Sequence, residues 1–124
     1  MLFRSFNFLY KNLKDLEEFL ILPEPEKNSE PSWFGFTLSL KNNNQYNRND
    51  LINYLNECKI GTRLLFSGNL IKQPYMKNIN FKIHRDLKNT DLVMKNTFWI
   101  GLYPGLSTEH LQYMVLKIKN FFKL

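Results

Sequence analysis

The sequence contains no alanine, only five glycines and a single cysteine, Cys58, among its 124 residues. One cysteine excludes an internal disulfide framework and any zinc or iron–sulfur site built from cysteines alone. No apolar run approaches the ~18–20 residues needed to cross a bilayer, and the longest uncharged stretch, 97–108, is interrupted by glycine and proline. The N-terminus lacks a continuous apolar segment followed by a small-residue cleavage site. We therefore expect no secretory signal, no membrane association and a cytoplasmic location.

The composition is that of a folded domain with a basic surface. Hydrophobic residues make up 44% of the chain and aromatic residues 15%, which is typical of a globular protein with room for one core. The net charge is +6, but the lysines are scattered from Lys11 to Lys123 rather than clustered. Abundant lysine and asparagine without alanine is typical of AT-rich coding. We interpret the charge as a solvated surface, which makes a nucleic-acid partner unexpected.

Hydrophobic periodicity predicts a helix, a connector and a strand in the first third of the chain. The helix is predicted over 2–20 and the proline-rich connector over 23–32. Alternation predicts a strand over 33–40, with Phe34 turned to the core and Trp33 to the other face. The apolar residues on which the predicted helix depends are Phe6, Leu9, Leu13, Leu16 and Leu20.

Helices and strands then interleave along the chain. A helix with Leu55 and Cys58 turned inward is predicted to be capped by Asn49 or Asp50 and to stop at Gly61. The further predictions are a polar loop at 42–45, a strand at 62–66, an irregular excursion at 67–86, a short helix capped by Asn89 or Thr90 and ending at Met94, a strand at 98–102, and a helix capped by Ser107 or Thr108.

This order of elements favours a small two-layer α/β sandwich with helices on one face of the sheet. We divide the chain into a leading helix over 1–22, the connector over 23–32, and a small α/β domain over 33–124. No internal repeat is present.

Three common kinds of site find little support. His84 and His110 have no partner at metal-ligand spacing, so we expect no metal site. Cys58 falls on the apolar side of its helix, where a buried structural thiol is the ordinary occupant. The aromatic stretch 33–37 resembles the RNA-binding strand of an RNA-recognition motif only faintly, because its leading basic residue and first glycine are missing.

The stretch from 60 to 75 gathers polar groups suited to an anionic, oxygen-rich ligand. It holds a fixed cation, Arg63, the amides of Asn69 and Gln73, and the phenol of Tyr75 in one irregular segment. The residues alone leave open whether Arg63 binds a ligand or pairs with an acidic neighbour.

Four blocks of sequence resemble a specific family. They lie at 61–69 (GTRLLFSGN), 73–75 (QPY), 89–91 (NTD) and 97–106 (TFWIGLYPGL), supported upstream by 7–24 and 31–36. Together they resemble the C-terminal part of the CDP-4-dehydro-6-deoxyglucose 3-dehydrases, which belong to the DegT/DnrJ/EryC1/StrS aminotransferase-like family. The resemblance covers nearly the whole chain in order; 42–47 and the extreme N-terminus depart from it.

The resemblance implies the small domain of a fold-type-I enzyme of lipopolysaccharide dideoxysugar biosynthesis. In such an enzyme pyridoxal or pyridoxamine phosphate carries the chemistry, and a large domain supplies the cofactor site and the catalytic lysine or histidine. The implied partners are that large domain or subunit, a CDP-sugar substrate and a second copy in a homodimer. For this chain alone we expect no cofactor site, no catalytic residue and no activity.

On the same resemblance, the loop from Arg63 to Tyr75 forms the wall that faces the nucleotide sugar. Arg63 is expected to contact anionic or hydroxyl oxygens, Asn69 and Gln73 the sugar or diphosphate, and Tyr75 to hydrogen-bond or stack. Trp99 is expected in the core. The alternatives are a free-standing basic α/β module that binds nucleic acid or another anion, and an inert remnant.

Overall fold

A computed structural model describes residues 2–42 and 45–123 of the chain. The predicted polar loop at 42–45 therefore lies partly outside the described residues. The elements, in chain order, are α1 (Leu2–Leu13), a 3-10 turn (Lys14–Leu16), β1 (Leu20–Ile21), β2 (Gly35–Leu40), α2 (Arg48–Glu57), β3 (Thr62–Leu64), two 3-10 turns (Leu70–Lys72 and Pro74–Asn78), α3 (Lys88–Asn96), β4 (Thr97–Gly101) and α4 (Thr108–Phe121).

The described strands form a four-stranded antiparallel sheet in the order β1-β2-β4-β3. Phe36 pairs with Ile100 across β2 and β4, and Thr62 pairs with Ile100 from the other side. Successive side chains of a strand alternate between the two faces of a sheet. The register therefore puts Phe36 and Ile100 on one face, and Arg63 and Trp99 on the other.

The core lies between the first of these faces and the helices α1, α2 and α4. Helix α1 packs against α4, and α4 packs against α2. Burying these side chains provides the main driving force for the fold. Fully buried side chains from both layers are Leu9, Leu13, Leu16, Leu20, Phe36, Leu38, Leu51, Leu55, Phe98, Ile100 and Ile118. The predicted small α/β fold is confirmed.

The second face of the sheet is only partly covered, by α3. The hydroxyl groups of Ser39 and Thr97 lie 2.6 Å apart on this face. They line a cavity of about 230 Å³ together with Leu92 and Val93 of α3. Helix α3 therefore lies over the β1 side of this face, whereas the prediction had helices on one face only, and the β3 side is left open.

The first helix is shorter than predicted. Residues 14–16 form a 3-10 turn, and Leu20 pairs with Leu40 in β1 rather than continuing the helix. Leu16 and Leu20 are nevertheless fully buried, as their spacing indicated. Apolar residues spaced three and four apart indicate which side chains are buried. The same spacing fits both a continuous helix and a helix followed by a turn that packs on the same core.

The prediction of which side chain faces the core was wrong for Trp33 and Phe34. Strand β2 begins only at Gly35, so the alternation does not extend back through these two residues. Trp33 stacks on Phe6 with 4.3 Å between ring centroids, whereas Phe34 is 63% exposed. Phe34 instead lies edge-on to Trp99 on the open face.

Of the three helices with a predicted cap, only α4 has one of its predicted cap residues. Helix α3, predicted to be capped by Asn89 or Thr90, follows Leu87, which makes no side-chain cap hydrogen bond. Helix α4 begins after Ser107, whose hydroxyl accepts the His110 backbone N–H in a capping box, as predicted. The cap of α2 is Asn47 rather than Asn49 or Asp50. Helix α2 is followed by Lys59 with φ of 62°, so the left-handed residue expected at a helix end precedes Gly61.

Residues before the connector share the core with the rest of the chain. Besides the apolar contacts of α1, Arg4 donates to the Leu106 carbonyl oxygen at 2.6 Å. The boundaries at 22 and 32 stay a prediction. Across the described ranges, none of the helices combines the length and apolarity that a membrane crossing needs.

Candidate functional site

Arg63 lies in the middle of β3, directly opposite Trp99 of β4, on the open face of the sheet. Its side chain is exposed and makes no ion pair or hydrogen bond with any residue that the structure describes. It borders a cavity of about 570 Å³, which we call the Arg63 cavity; the lining residues are Thr62, Arg63, Leu64, Phe66 and Trp99. No carboxylate is among these lining residues, so the guanidinium is available to an anion.

Trp99 forms one wall of the Arg63 cavity and does not belong to the hydrophobic core, where it was expected. Its neighbours along the strand, Phe98 and Ile100, are the fully buried residues. The ring lies against Gly35, where a Cβ atom would approach Cε3 of Trp99 to 2.6 Å, and Phe34 meets it edge-on at 5.2 Å. The Nε1 atom is buried and has no hydrogen-bond acceptor within the described chain.

Phe66 projects beside the same cavity from a strained backbone. Its φ is 48°, in the left-handed region that a bulky side chain rarely adopts, and its N–H donates to the Leu64 carbonyl oxygen at 2.8 Å. The side chain is 76% exposed. Sequence reasoning missed Trp99 because the pairing of β3 with β4 is a long-range feature, and it missed Phe66 because the predicted strand 62–66 ends already at Leu64. Alternation between Phe98, Trp99 and Ile100 was the one available signal for Trp99.

Asn69, by contrast, is buried and engaged within the chain. Its Nδ2 donates to Oδ1 of Asp91 at 2.7 Å, and its Oδ1 accepts the Ile71 N–H at 3.3 Å. Lys72 pairs with the same Asp91 oxygen at 2.7 Å. The Lys72 ammonium, and next the Asn69 amide, hold the pKa of Asp91 below its usual range. This arrangement ties the loop after β3 to α3, and contact of Asn69 with a ligand stays a prediction.

Gln73 and Tyr75 also lie apart from the Arg63 cavity. Gln73 donates from Nε2 to the Ser67 carbonyl oxygen at 2.7 Å and bridges the loop internally. Tyr75 is the second residue of the second 3-10 turn and is 59% exposed. The structure thus separates the four predicted site residues: Arg63 faces the cavity, Asn69 and Gln73 brace the loop, and Tyr75 stands at the surface. The ligand roles of the last three stay predictions.

The other candidate groups have structural surroundings. Cys58 is half-buried against the core, and its carbonyl oxygen accepts the Tyr113 hydroxyl. His110 accepts the Ser107 N–H at Nδ1, and His84 is exposed. Within residues 2–42 and 45–123, no group of three or more potential metal ligands comes together.

The faint likeness of 33–37 to an RNA-binding strand has no counterpart in the structure. Phe36, which would have to stack on a base, is fully buried. On the outward face, β2 carries Gly35, Thr37 and Ser39, none of which has a ring.

Exposed apolar side chains are concentrated beyond β3. Nine large ones lie between Leu64 and Val93, which we call the apolar segment 64–93, and each is more than one-third exposed. Its members are Leu64, Phe66, Leu70, Tyr75, Ile79, Phe81, Ile83, Leu92 and Val93. Among the described residues, this stretch exposes more large apolar side chains than the rest of the chain together.

The residues present do not by themselves fit a pyridoxal phosphate site. Such a site needs a reactive lysine or a histidine in a pocket that also holds a carboxylate and a phosphate cradle. Both histidines are exposed, and every described lysine is exposed or only half-buried at the surface. We therefore assign no cofactor chemistry to these residues.

Comparison with known proteins places the chain clearly. A family model described as the DegT/DnrJ/EryC1/StrS aminotransferase family matches residues 4–119. The lipopolysaccharide biosynthesis protein RfbH of Salmonella typhimurium is 52% identical over 120 residues, which cover 97% of this chain and 28% of that protein. The dTDP-4-dehydro-2,6-dideoxy-D-glucose 3-dehydratase of Saccharopolyspora spinosa is 39% identical over 102 residues, covering 82% of this chain and 22% of the relative.

A solved structure shows the same fold. The GDP-4-keto-6-deoxy-D-mannose-3-dehydratase of E. coli, solved with bound hydrated PLP, superposes with a TM-score of 0.82 at 23% sequence identity. The match covers 94% of this chain and 29% of that one. The chain thus spans less than one-third of the length of each of these relatives.

Proposed function

The chain belongs to the DegT/DnrJ/EryC1/StrS aminotransferase family, and from this we propose that it forms the small substrate-facing domain of a cytoplasmic, pyridoxal or pyridoxamine phosphate-dependent nucleotide-sugar 3-dehydratase. The product would be a dideoxysugar for lipopolysaccharide. The observation that carries the proposal is the 52% identity to RfbH across 97% of the chain. The 39% identity to a 3-dehydratase supports the reaction class.

The functional groups of the chain determine which roles we assign to it and which to a large domain. Cofactor binding and proton transfer are assigned to a large domain or subunit, because the described residues do not fit the cofactor. This chain supplies Arg63, which has no ion-pair or hydrogen-bond partner among the described residues and whose planar guanidinium matches the oxygen geometry of a phosphate. Asn69 holds the loop in place, and Gln73 and Tyr75 are proposed as further polar contacts to the nucleotide sugar.

The apolar segment 64–93 is the proposed contact surface for the large domain and for a second copy in a homodimer. Leu64 and Phe66, 54% and 76% exposed, belong both to this segment and to the Arg63 cavity. A body that covers the segment therefore borders the cavity. We expect the chain alone to self-associate and to bind a hydrophobic dye, and a monodisperse monomer without dye binding would contradict this assignment.

A chimeric enzyme tests the function. The matching 120-residue stretch of RfbH is replaced by this chain, and the chimera is supplied with pyridoxamine phosphate and a reductant. We expect turnover of CDP-4-dehydro-6-deoxyglucose and restored lipopolysaccharide in Salmonella lacking RfbH. A folded chimera without turnover would contradict the proposal.

A matched pair of conservative variants tests the role of Arg63 in that chimera. Arg63→Lys keeps the charge but loses the planar fork, so we expect at least about a tenfold loss of kcat/KM. Arg85→Lys makes the same change at an exposed loop position outside the cavity and should leave turnover unchanged. Equal activity of both variants would show that Arg63 does not contact the substrate through its guanidinium.

A further inference from the structure

Three features of the Arg63 cavity are unexplained by the packing of this chain. The first is that Trp99 is held as a rigid wall. Gly35 leaves room for the indole beneath, and Phe34 fixes its edge from the side. Cross-strand neighbours have Cβ atoms about 4.5–5.5 Å apart, so the Trp99 ring stands next to the stem of Arg63. A flat apolar ring thus lies beside a cation that pairs with no residue in 2–42 or 45–123.

The second feature is Phe66, which combines a strained backbone conformation with an exposed ring. Glycine would adopt a φ of 48° without strain, and a ring that is 76% exposed gains little from burial. Strained non-glycine residues are concentrated at ligand-binding sites, where the ring position itself is needed. Neither local conformation nor packing in this chain explains phenylalanine here.

The third feature is the indole N–H of Trp99, which is buried without an acceptor among the described residues. A buried orphan donor in a native structure calls for an explanation. The side chains of Arg63 and Phe66 lie in the same cavity without hydrogen-bond, ion-pair or ring partners in the described chain, so they can move aside without breaking such a contact. This donor, without an acceptor among the described residues, thus belongs to a ring that lines the Arg63 cavity.

We propose that Phe66 and Trp99 form an aromatic clamp around Arg63, which holds a ring of the nucleotide sugar while the guanidinium binds the adjoining diphosphate. The cavity of about 570 Å³ has the size of an ordinary small-molecule site, and its lining combines apolar faces with one positive charge. That combination suits a ring joined to an anion. A nucleobase and a hexose each present such a face. The inference rests on the proposed function and adds Phe66 and Trp99 as residues that stack on the ligand.

Fluorescence of the chain itself can report on the clamp. Its two tryptophans are Trp33 and Trp99, so Trp33→Phe leaves Trp99 as the only indole. This background is titrated with CDP-glucose, CDP, glucose 1-phosphate and pyrophosphate, with calorimetry in parallel. We expect CDP-glucose to change the Trp99 emission saturably. A response to CDP assigns the clamp to the base, a response to glucose 1-phosphate assigns it to the sugar, and pyrophosphate should bind without occupying the clamp.

Substitutions separate a binding role from a structural one. Trp99→Leu and Phe66→Gly each remove a ring, so each should weaken CDP-glucose binding at least about fivefold and change pyrophosphate affinity less than about twofold. Because glycine relieves the strain at position 66, Phe66→Gly should keep or raise the melting temperature. Tyr103→Gly, at an exposed aromatic outside both the cavity and the apolar segment, is the control and should keep CDP-glucose affinity.

Each remaining outcome overturns the clamp. If Trp99→Leu and Phe66→Gly bind CDP-glucose like the parent chain while Arg63→Lys no longer binds it, the clamp is wrong and the proposed function stands. If Phe66→Gly loses affinity together with thermal stability, its role is structural. If the parent chain does not bind millimolar CDP-glucose, the clamp is wrong, and the chimera decides the proposed function separately.

Discussion

Replacing Asn69 by alanine distinguishes a residue that shapes the site from one that contacts a ligand. Asn69 is 2% exposed, and its amide uses both ends within the chain. One end donates to Asp91 at 2.7 Å, and the other accepts the Ile71 N–H at 3.3 Å as the cap of a 3-10 turn. Alanine removes both bonds and leaves the Ile71 donor without a partner.

The size of the effect follows from these contacts. Losing a buried side chain that caps a turn and makes a hydrogen bond to a charged group costs about 2 kcal/mol of unfolding free energy. With an unfolding entropy of ~2.1 cal/mol/K per residue, a chain of this length should melt about 8 °C lower. Gln73→Ala is the control, because its bond to Ser67 is at the surface and should contribute no more than about 0.5 kcal/mol.

The assay is thermal unfolding followed by circular dichroism, with CDP-glucose affinity measured on the same preparations below the transition. We expect a clear loss of stability for Asn69→Ala and only a small one for Gln73→Ala, because we assign Asn69 a structural role. An Asn69→Ala chain that melts within about 1 °C of wild type but binds the ligand less tightly would refute it, and would make Asn69 a ligand contact.

Two further predictions concern the same face. Gly35→Ala should cost about 1–3 kcal/mol and alter the near-ultraviolet signal of Trp99, because its Cβ would clash with the ring at 2.6 Å; Gly101→Ala, which meets nothing within 4 Å, should not. Asp91, whose pKa is lowered by Lys72 and Asn69, stabilises the folded chain above the ordinary aspartate pKa of about 4 and loses this effect as pH falls below it. Melting temperatures of Asp91→Asn and wild type should therefore differ at neutral pH and converge in acid, whereas a gap that widens in acid would show the sign to be wrong.

Local patterns predicted the parts of the fold that local interactions determine. The capping serine at 107 and the apolar spacing after it predicted α4, because both signals act within one helix. Alternation predicted which residues of 36–40 are buried. It failed at Trp33 and Phe34, because alternation applies only within a strand and the strand begins at Gly35.

Long-range pairing accounts for most of what the sequence could not predict. The two-residue strand β1 has no pattern of its own, and it exists because Leu20 meets Leu40. Similarly, Arg63 was a candidate because of its residue type and because the surrounding sequence resembles the family. That Trp99 lies next to Arg63 depends on the register of β3 on β4, which the sequence does not reveal. The family membership, which rests on motifs along the whole chain, is confirmed by the match over residues 4–119.

The uneven covering of the sheet links the two proposals. One face is closed by α1, α2 and α4, whereas the other carries Arg63 and Trp99, and Phe66 with its positive φ lies beside their cavity. Since Leu64 and Phe66 belong to both the segment and the cavity, a large domain docked on the segment would also exclude water from Arg63. A lower local dielectric strengthens attraction between the guanidinium and a diphosphate. Affinity for the nucleotide sugar should therefore rise from the chain alone to the chimera, with less salt dependence, because a buried ion pair is screened less than an exposed one.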